Sequence, residues 1–179
     1  MTADPNCGVA HGHGSAEHPD RLLVAVFASP VAAMLVRYAA DLGFRTAVVE
    51  PDTGLVDVPA DVVVRRFADL AGELAAGHAD VVVTDHHRPE LGELLRDALA
   101  GPARWIGLMG NPRHEGPHVS ALAALGVPPD EVARVHRPIG LDIGSRTPAE
   151  IAISTLAGLL ADRNGRSGGF AHGVPAPTG

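Results

Sequence analysis

Residues 22–51 read LLVAVFASPVAAMLVRYAADLGFRTAVVEP, and the changes of periodicity within them decide the fold. Leu22 to Ala28 is an unbroken apolar run of strand length. A run without polar alternation suits a strand covered on both faces, as in a parallel sheet. From Val31 the apolar residues recur at helical spacing as far as Gly43, a residue suited to ending a helix. Arg45 to Val49 is a second apolar run, closed by Glu50 and Pro51. Strand, helix and strand within about 30 residues make a right-handed crossover unit.

The alternation continues outward. DVVVR (61–65), ADVVVT (79–84) and ARWIGLM (103–109) are strand-like, with the helical segments 67–77 and 88–101 between them. VSALAALG (119–126) is helical, and PPDEVARVHRPIG (128–140) holds a short helix and a last strand. Pro148 to Arg163 is the longest helical segment. Thr147 stands at its N-cap, Pro148 at the first helical position and Glu150 where a capping box needs it. These elements predict one α/β domain over residues 21–164: a doubly wound, mainly parallel, Rossmann-like sheet with helices on both faces. Residues 1–20 and 165–179 have no periodicity and read as disordered tails.

Composition narrows the setting. Acidic residues outnumber basic ones 21 to 14, and every basic residue is Arg. The formal net charge of −7 argues against nucleic-acid binding, where a basic surface supplies most of the affinity. No apolar run approaches the roughly 18 residues of a membrane span, and residues 1–20 lack the pattern of a secretory signal. The single cysteine, Cys7, leaves no intramolecular disulfide to form. A cytoplasmic protein is expected.

In an open α/β sheet, ligands bind beyond the carboxyl ends of the strands. The first such turn is Ser29-Pro30-Val31, where a dinucleotide-binding protein carries glycines that let the pyrophosphate approach. Pro30 lacks an N–H, so the turn is a poor phosphate cradle. Glu50 ends the second strand where a carboxylate accepts from a ribose hydroxyl; a solvated strand-end side chain is the simpler reading. Thr84-Asp85-His86-His87 follows the fourth strand and offers acid, base or metal-ligand groups. Adjacent side chains diverge, which argues against one shared ion. His114-Glu115-Gly116-Pro117-His118 spells a zinc-protease pattern, but that pattern needs one continuous helix and Pro117 interrupts it. Cys7, His11, His13 and His18 form a His-rich tail of the kind that binds metals weakly. No structural metal is expected.

The most specific feature is PIGLDIGSRTPAE (138–150). Gly140 and Gly144 bracket Asp142, and Ser145 and Arg146 follow directly before the capped helix. Glycines at this spacing shape a loop that a ligand can approach.

Together with ADVVVTDHH (79–87) and ARWIGLMGNPRH (103–114), this segment resembles the carboxy-terminal Rossmann-type domain of the XdhC/CoxI family over residues 22–165. These are accessory proteins of xanthine dehydrogenase, CO dehydrogenase and related molybdenum hydroxylases. The resemblance implies a chaperone that binds molybdenum cofactor (molybdopterin) and hands it to a target enzyme. The candidate cofactor-binding positions are Gly107, Gly110, Arg113, Gly140, Asp142, Gly144, Ser145 and Arg146, together with Glu50, Asp85 and His86 at their strand ends, and no catalytic residue is expected. The implied partners are a molybdenum hydroxylase and a separate XdhC-type amino-terminal domain protein; a homo-oligomer is left open. The sequence departs from the family pattern at Ala28-Ser29-Pro30, at Thr84-Asp85-His86 and in the thinned basic run Asn111 to His114. The amino-terminal domain that usually precedes the Rossmann part is also expected to be missing.

Three readings follow: an accessory protein that binds the cofactor or a nucleotide, an NAD(P)-dependent oxidoreductase, and an interaction module that kept the fold without its ligand. The residues of the first turn separate the second from the others. Calorimetric titration with NAD and NADP is expected to show weak or no binding; low-micromolar affinity for either would favour the oxidoreductase.

Overall fold

The computed structural model describes residues 21–52, 54, 57–110 and 116–169. Six parallel strands form one sheet in the order β3-β2-β1-β4-β5-β6: β1 (Leu22–Val26), β2 (Arg45–Val49), β3 (Val62–Val64), β4 (Ala79–Val83), β5 (Trp105–Leu108) and β6 (Val135–His136). β1 lies between β2 and β4, with Val26 opposite Val49 on one side and Val83 on the other. The order reverses at β1 and β4, which is the doubly wound topology expected from the strand and helix alternation.

The helices divide between the two faces. α1 (Pro30–Asp41) and α6 (Pro148–Arg163) pack together on one face, over Leu23, Ala25, Val48 and Val82. α3 (Leu91–Ala100) and α4 (Pro117–Ala124) cover the other, over Val24, Val26, Val81 and Ile106, together with a 3-10 turn (Phe67–Leu70) that runs into the short α2 (Ala71–Leu74). α5 (Pro129–Val132) leads into β6. Successive residues of β1 thus feed opposite cores, which is why its sequence shows no polar alternation.

Two boundaries differ from the sequence reading. The first strand ends at Val26 and not at Ala28, because Phe27 turns into the left-handed region at φ 70°. The segment 67–77 is a 3-10 turn followed by a single helical turn; Gly72, a poor helix former, lies within it. Residues 1–20 and 170–179, read as tails, fall outside the described residues. Among the described residues no helix is long and apolar enough to cross a membrane.

At the amino edge of the sheet, Asp80 of β4 is fully buried and ties down the end of α6. It accepts from Arg104 Nε at 2.7 Å and from Arg163 Nε, while Arg163 Nη2 reaches the His78 carbonyl at 2.6 Å. Burial pushes the Asp80 carboxyl above the ordinary carboxylate value, and the two guanidinium groups oppose that push.

At the other end of α6 the capping box forms as the sequence predicts. Thr147 Oγ1 accepts from Glu150 N–H at 3.3 Å, and Glu150 Oε2 accepts from Thr147 N–H at 3.0 Å and from Arg146 N–H at 2.6 Å. These backbone donors, Arg146 first, hold the Glu150 carboxyl below its ordinary value. A lowered folded-state value means that the contribution is complete above the ordinary glutamate range and is lost as pH falls. Thr147→Ala is expected to cost about 1 kcal/mol in denaturant unfolding. The melting difference between the parent and Glu150→Gln should be present at neutral pH and disappear in acid.

Candidate functional site

The crevice between β1 and β4 is braced from within. Phe27 turns out of β1 with its N–H still bonded to the Val49 carbonyl at 2.9 Å, and its carbonyl accepts from Thr84 Oγ1 at 2.9 Å. Ser29 Oγ donates to Thr84 Oγ1 at 3.0 Å and accepts from Ala32 N–H at 3.0 Å, so one hydroxyl caps α1 and joins it to β4. Pro30 then sits at the first helical position, where its missing N–H costs nothing.

Glu50 is fully buried in this crevice, which corrects the reading of a solvated strand-end side chain. Its Oε2 accepts from Ala28 N–H at 2.7 Å and its Oε1 from Asp52 N–H at 2.8 Å. Arg88, from the loop after β4, lies 3.1 Å from Oε1 and stacks over the Phe27 ring with its guanidinium carbon 4.9 Å from the centroid. Hydrogen bonds to Glu50 and Glu90 raise the Arg88 value against burial, which lowers it and is the largest single effect. Both carboxylate oxygens of Glu50 are engaged by the protein itself. A ribose hydroxyl would have to displace one of these donors.

The turns after β4, β5 and β6 converge on a second region. Asp85 Oδ1 accepts from His87 N–H at 2.8 Å, and the His86 and His87 rings lie 4.0 Å apart at 39°. Their approach corrects the expectation that adjacent side chains diverge here. Burial first, then the charges of His87 and Arg137, hold His86 below the ordinary imidazole value, with Asp85 opposing them. Gly110, after β5, lies against the Arg137 guanidinium: a β-carbon there would stand 2.6 Å from Nε. Gly107, inside β5, lies under the Trp105 ring, 2.1 Å from where its β-carbon would be, and Ile139 closes the same space at 2.9 Å. Bulk at Gly107 is thus excluded by the protein's own indole.

The Gly140–Arg146 loop is held along its own helix. Gly140, at φ 90°, packs on Ser154, and Gly158 approaches it so closely that a β-carbon would stand 3.2 Å from Gly140 Cα. Leu141 N–H donates to the Ser154 carbonyl at 3.1 Å, and Ser145 Oγ to the Glu150 carbonyl at 3.3 Å. Gly144 has open space around it, but its φ of 69° favours glycine. Asp142 and Arg146 are exposed. Among the described residues neither side chain has a hydrogen-bond or ion-pair partner.

The proposed residues therefore fall into three places. Glu50 belongs to the β1/β4 crevice. Asp85, His86 and Gly110 gather near Arg137, with Gly107 beneath Trp105. Asp142, Gly144, Ser145 and Arg146 sit at the start of α6, with Gly140 further along that helix. Arg113, His114 and Glu115 lie outside the described residues, as do Cys7, His11, His13 and His18. Gly116 is an extended N-cap and α4 begins at Pro117, so no continuous helix carries the zinc-protease pattern. Phe27, Arg88 and Arg137 were not legible as site residues, because their partners are distant in sequence. Glu50→Ala is expected to cost about 1–3 kcal/mol in urea unfolding, since it takes the acceptor from the Ala28 and Asp52 N–H groups and leaves Arg88 with Glu90 as its remaining carboxylate partner.

Comparison with known proteins agrees with this fold. The model of the XdhC Rossmann domain matches residues 23–159. Over 87 residues the chain is 37% identical to "Uncharacterized protein YqeB" of Escherichia coli (strain K12), a match covering 49% of this chain and 16% of that protein. A crystal structure from Bacillus halodurans, described as a xanthine dehydrogenase, superposes with a TM-score of 0.63 at 28% identity. That match covers 82% of this chain and 44% of the Bacillus chain. With the doubly wound sheet and the PIGLDIGSRTPAE segment in place, the chain belongs to the family of the XdhC Rossmann domain.

Proposed function

We propose that this chain is an accessory factor for a molybdenum hydroxylase of the xanthine dehydrogenase or CO dehydrogenase type, acting in the cytoplasm by binding and docking without turnover. The observation that carries this reading is the Asp142–Arg146 loop. Capping box and glycine geometry fix its backbone, yet its carboxylate and guanidinium are exposed and without partners among the described residues. A fixed backbone that displays unpaired charge suits recognition, since little order is lost on binding.

The same residues fit the polar groups of molybdenum cofactor. The Asp142 carboxylate can accept two parallel hydrogen bonds from the amino-pyrimidine edge of a pterin. Arg146, with the Ser145 hydroxyl, can hold phosphate oxygens through its planar fork. Because Glu150 and Thr147 already satisfy the helix donors, an anion here depends on those side chains and not on the helix terminus. The cofactor would supply the redox metal centre for the partner enzyme, and this chain would hold and orient it. A separate XdhC-type amino-terminal domain protein is the second proposed partner.

The test is binding of molybdenum cofactor and of the hydroxylase to Asp142→Ala and Arg146→Ala. Each variant should keep its melting temperature while losing about tenfold or more in affinity, as expected when a charged hydrogen bond is removed. A melting temperature several degrees lower with binding retained would show the loop to be structural.

A further inference from the structure

The carboxyl ends of β2 and β3 frame a cleft that neither the crevice around Glu50 nor the Asp142–Arg146 loop uses. It has a volume of about 320 Å³ and is lined by Pro51, Arg65, Arg66 and Asp69. Open α/β sheets bind their ligands beyond the carboxyl ends of the strands, and this cleft lies there. Its size falls at the small end of the roughly 300–1,000 Å³ that small-molecule sites occupy.

The backbone around the cleft is fixed. Val64 stands opposite Val49, and Glu50 N–H donates to the Val64 carbonyl at 2.9 Å, so Arg65 leaves β3 beside the end of β2. The buried Glu50 carboxylate holds the next turn through Asp52 N–H at 2.8 Å. From the other side, Phe67 and Leu70 anchor the 3-10 turn in the core, and Asp69 N–H closes on the Arg66 carbonyl at 3.1 Å. A frame already ordered in this way loses little freedom on binding.

Donors remain on that frame. Arg65 uses its Nε–H on the Pro51 carbonyl at 3.2 Å, and among the described residues its terminal nitrogens have no hydrogen-bond or ion-pair partner. Arg66 Nη2 lies 3.3 Å from Asp69 Oδ1, with the arginine side chain 73% exposed. So exposed a pair is held weakly and yields to a better anion. Asp69 Oδ2 accepts no hydrogen bond among the described residues. Asp52, next to Pro51, does not line the cleft; its Oδ1 accepts from Gly54 N–H at 3.0 Å. Two guanidinium groups therefore share the cleft with one carboxylate, in a chain whose formal net charge is −7.

From these observations we propose that the cleft binds a phosphate ester with a neighbouring hydroxyl group, a sugar phosphate in chemical class. The planar forks of Arg65 and Arg66 hold the phosphate oxygens, and Asp69 accepts from the hydroxyl. The site does not depend on the Asp142–Arg146 loop, which follows β6 at the far edge of the sheet.

The experiment is calorimetric titration of the intact chain with ribose 5-phosphate and with inorganic phosphate at constant ionic strength. Ribose 5-phosphate should bind saturably and more tightly than inorganic phosphate. Arg65→Gln and Arg66→Gln should each weaken its binding about tenfold while keeping the parent's melting temperature, because exposed side chains contribute little to folding. Arg96→Gln, which alters an exposed pair on α3, should bind like the parent. Asp69→Asn should bring ribose 5-phosphate down to the affinity of inorganic phosphate. No saturable binding, unchanged affinity in both cleft variants, or an equal loss in Arg96→Gln would overturn the proposal. Equal affinity of the parent for the two ligands would overturn the assignment to an ester. If one arginine variant fails to fold, the other decides.

Discussion

The buried carboxylate of Glu50 is the constraint on which the carboxyl edge of the sheet depends. A charge placed in the interior is tolerable only if donors surround it. Those donors come from three segments: the backbone after β1, the backbone after β2 and Arg88 beyond β4. Satisfying one side chain therefore fixes three loops relative to each other. It also leaves Phe27 in a left-handed conformation, an arrangement of roughly 1–2 kcal/mol cost in a non-glycine residue. The stack of Arg88 on the Phe27 ring, worth about 0.5–2 kcal/mol, helps to offset that cost.

One consequence is a division of labour along the edge. In a dinucleotide-binding domain the β1/β4 crevice receives the ligand; here protein side chains occupy it. Arg137 and the imidazole groups lie instead beyond β4, β5 and β6. The exposed Asp142 and Arg146 sit on the loop leading into α6. The switch point itself serves cohesion, and the charged groups that stay exposed lie on the outer loops.

Much of the fold was legible because its signals are local. The apolar runs of β1, β2 and β4, the Gly43 stop and the Thr147-Pro148-Ala149-Glu150 cap each declare themselves within a few residues. The site was legible only where its geometry is equally local, as in the Gly140–Arg146 loop. Glu50 was misread as solvated because its arginine partner is 38 positions away. The left-handed turn at Phe27 had no glycine to announce it. Gly107 looked like a ligand approach, and only the structure shows the Trp105 ring lying across it.

Trp105 is the only tryptophan in the chain. Its indole is almost completely buried and lies parallel to the His136 imidazole, with ring centroids 5.3 Å apart and 13° between planes. His136 immediately precedes Arg137, and Ile139 closes the space beside the indole at Gly107. The molecule therefore carries a built-in optical reporter where β5 meets β6. Its emission colour registers the dryness of that corner, without any label being introduced.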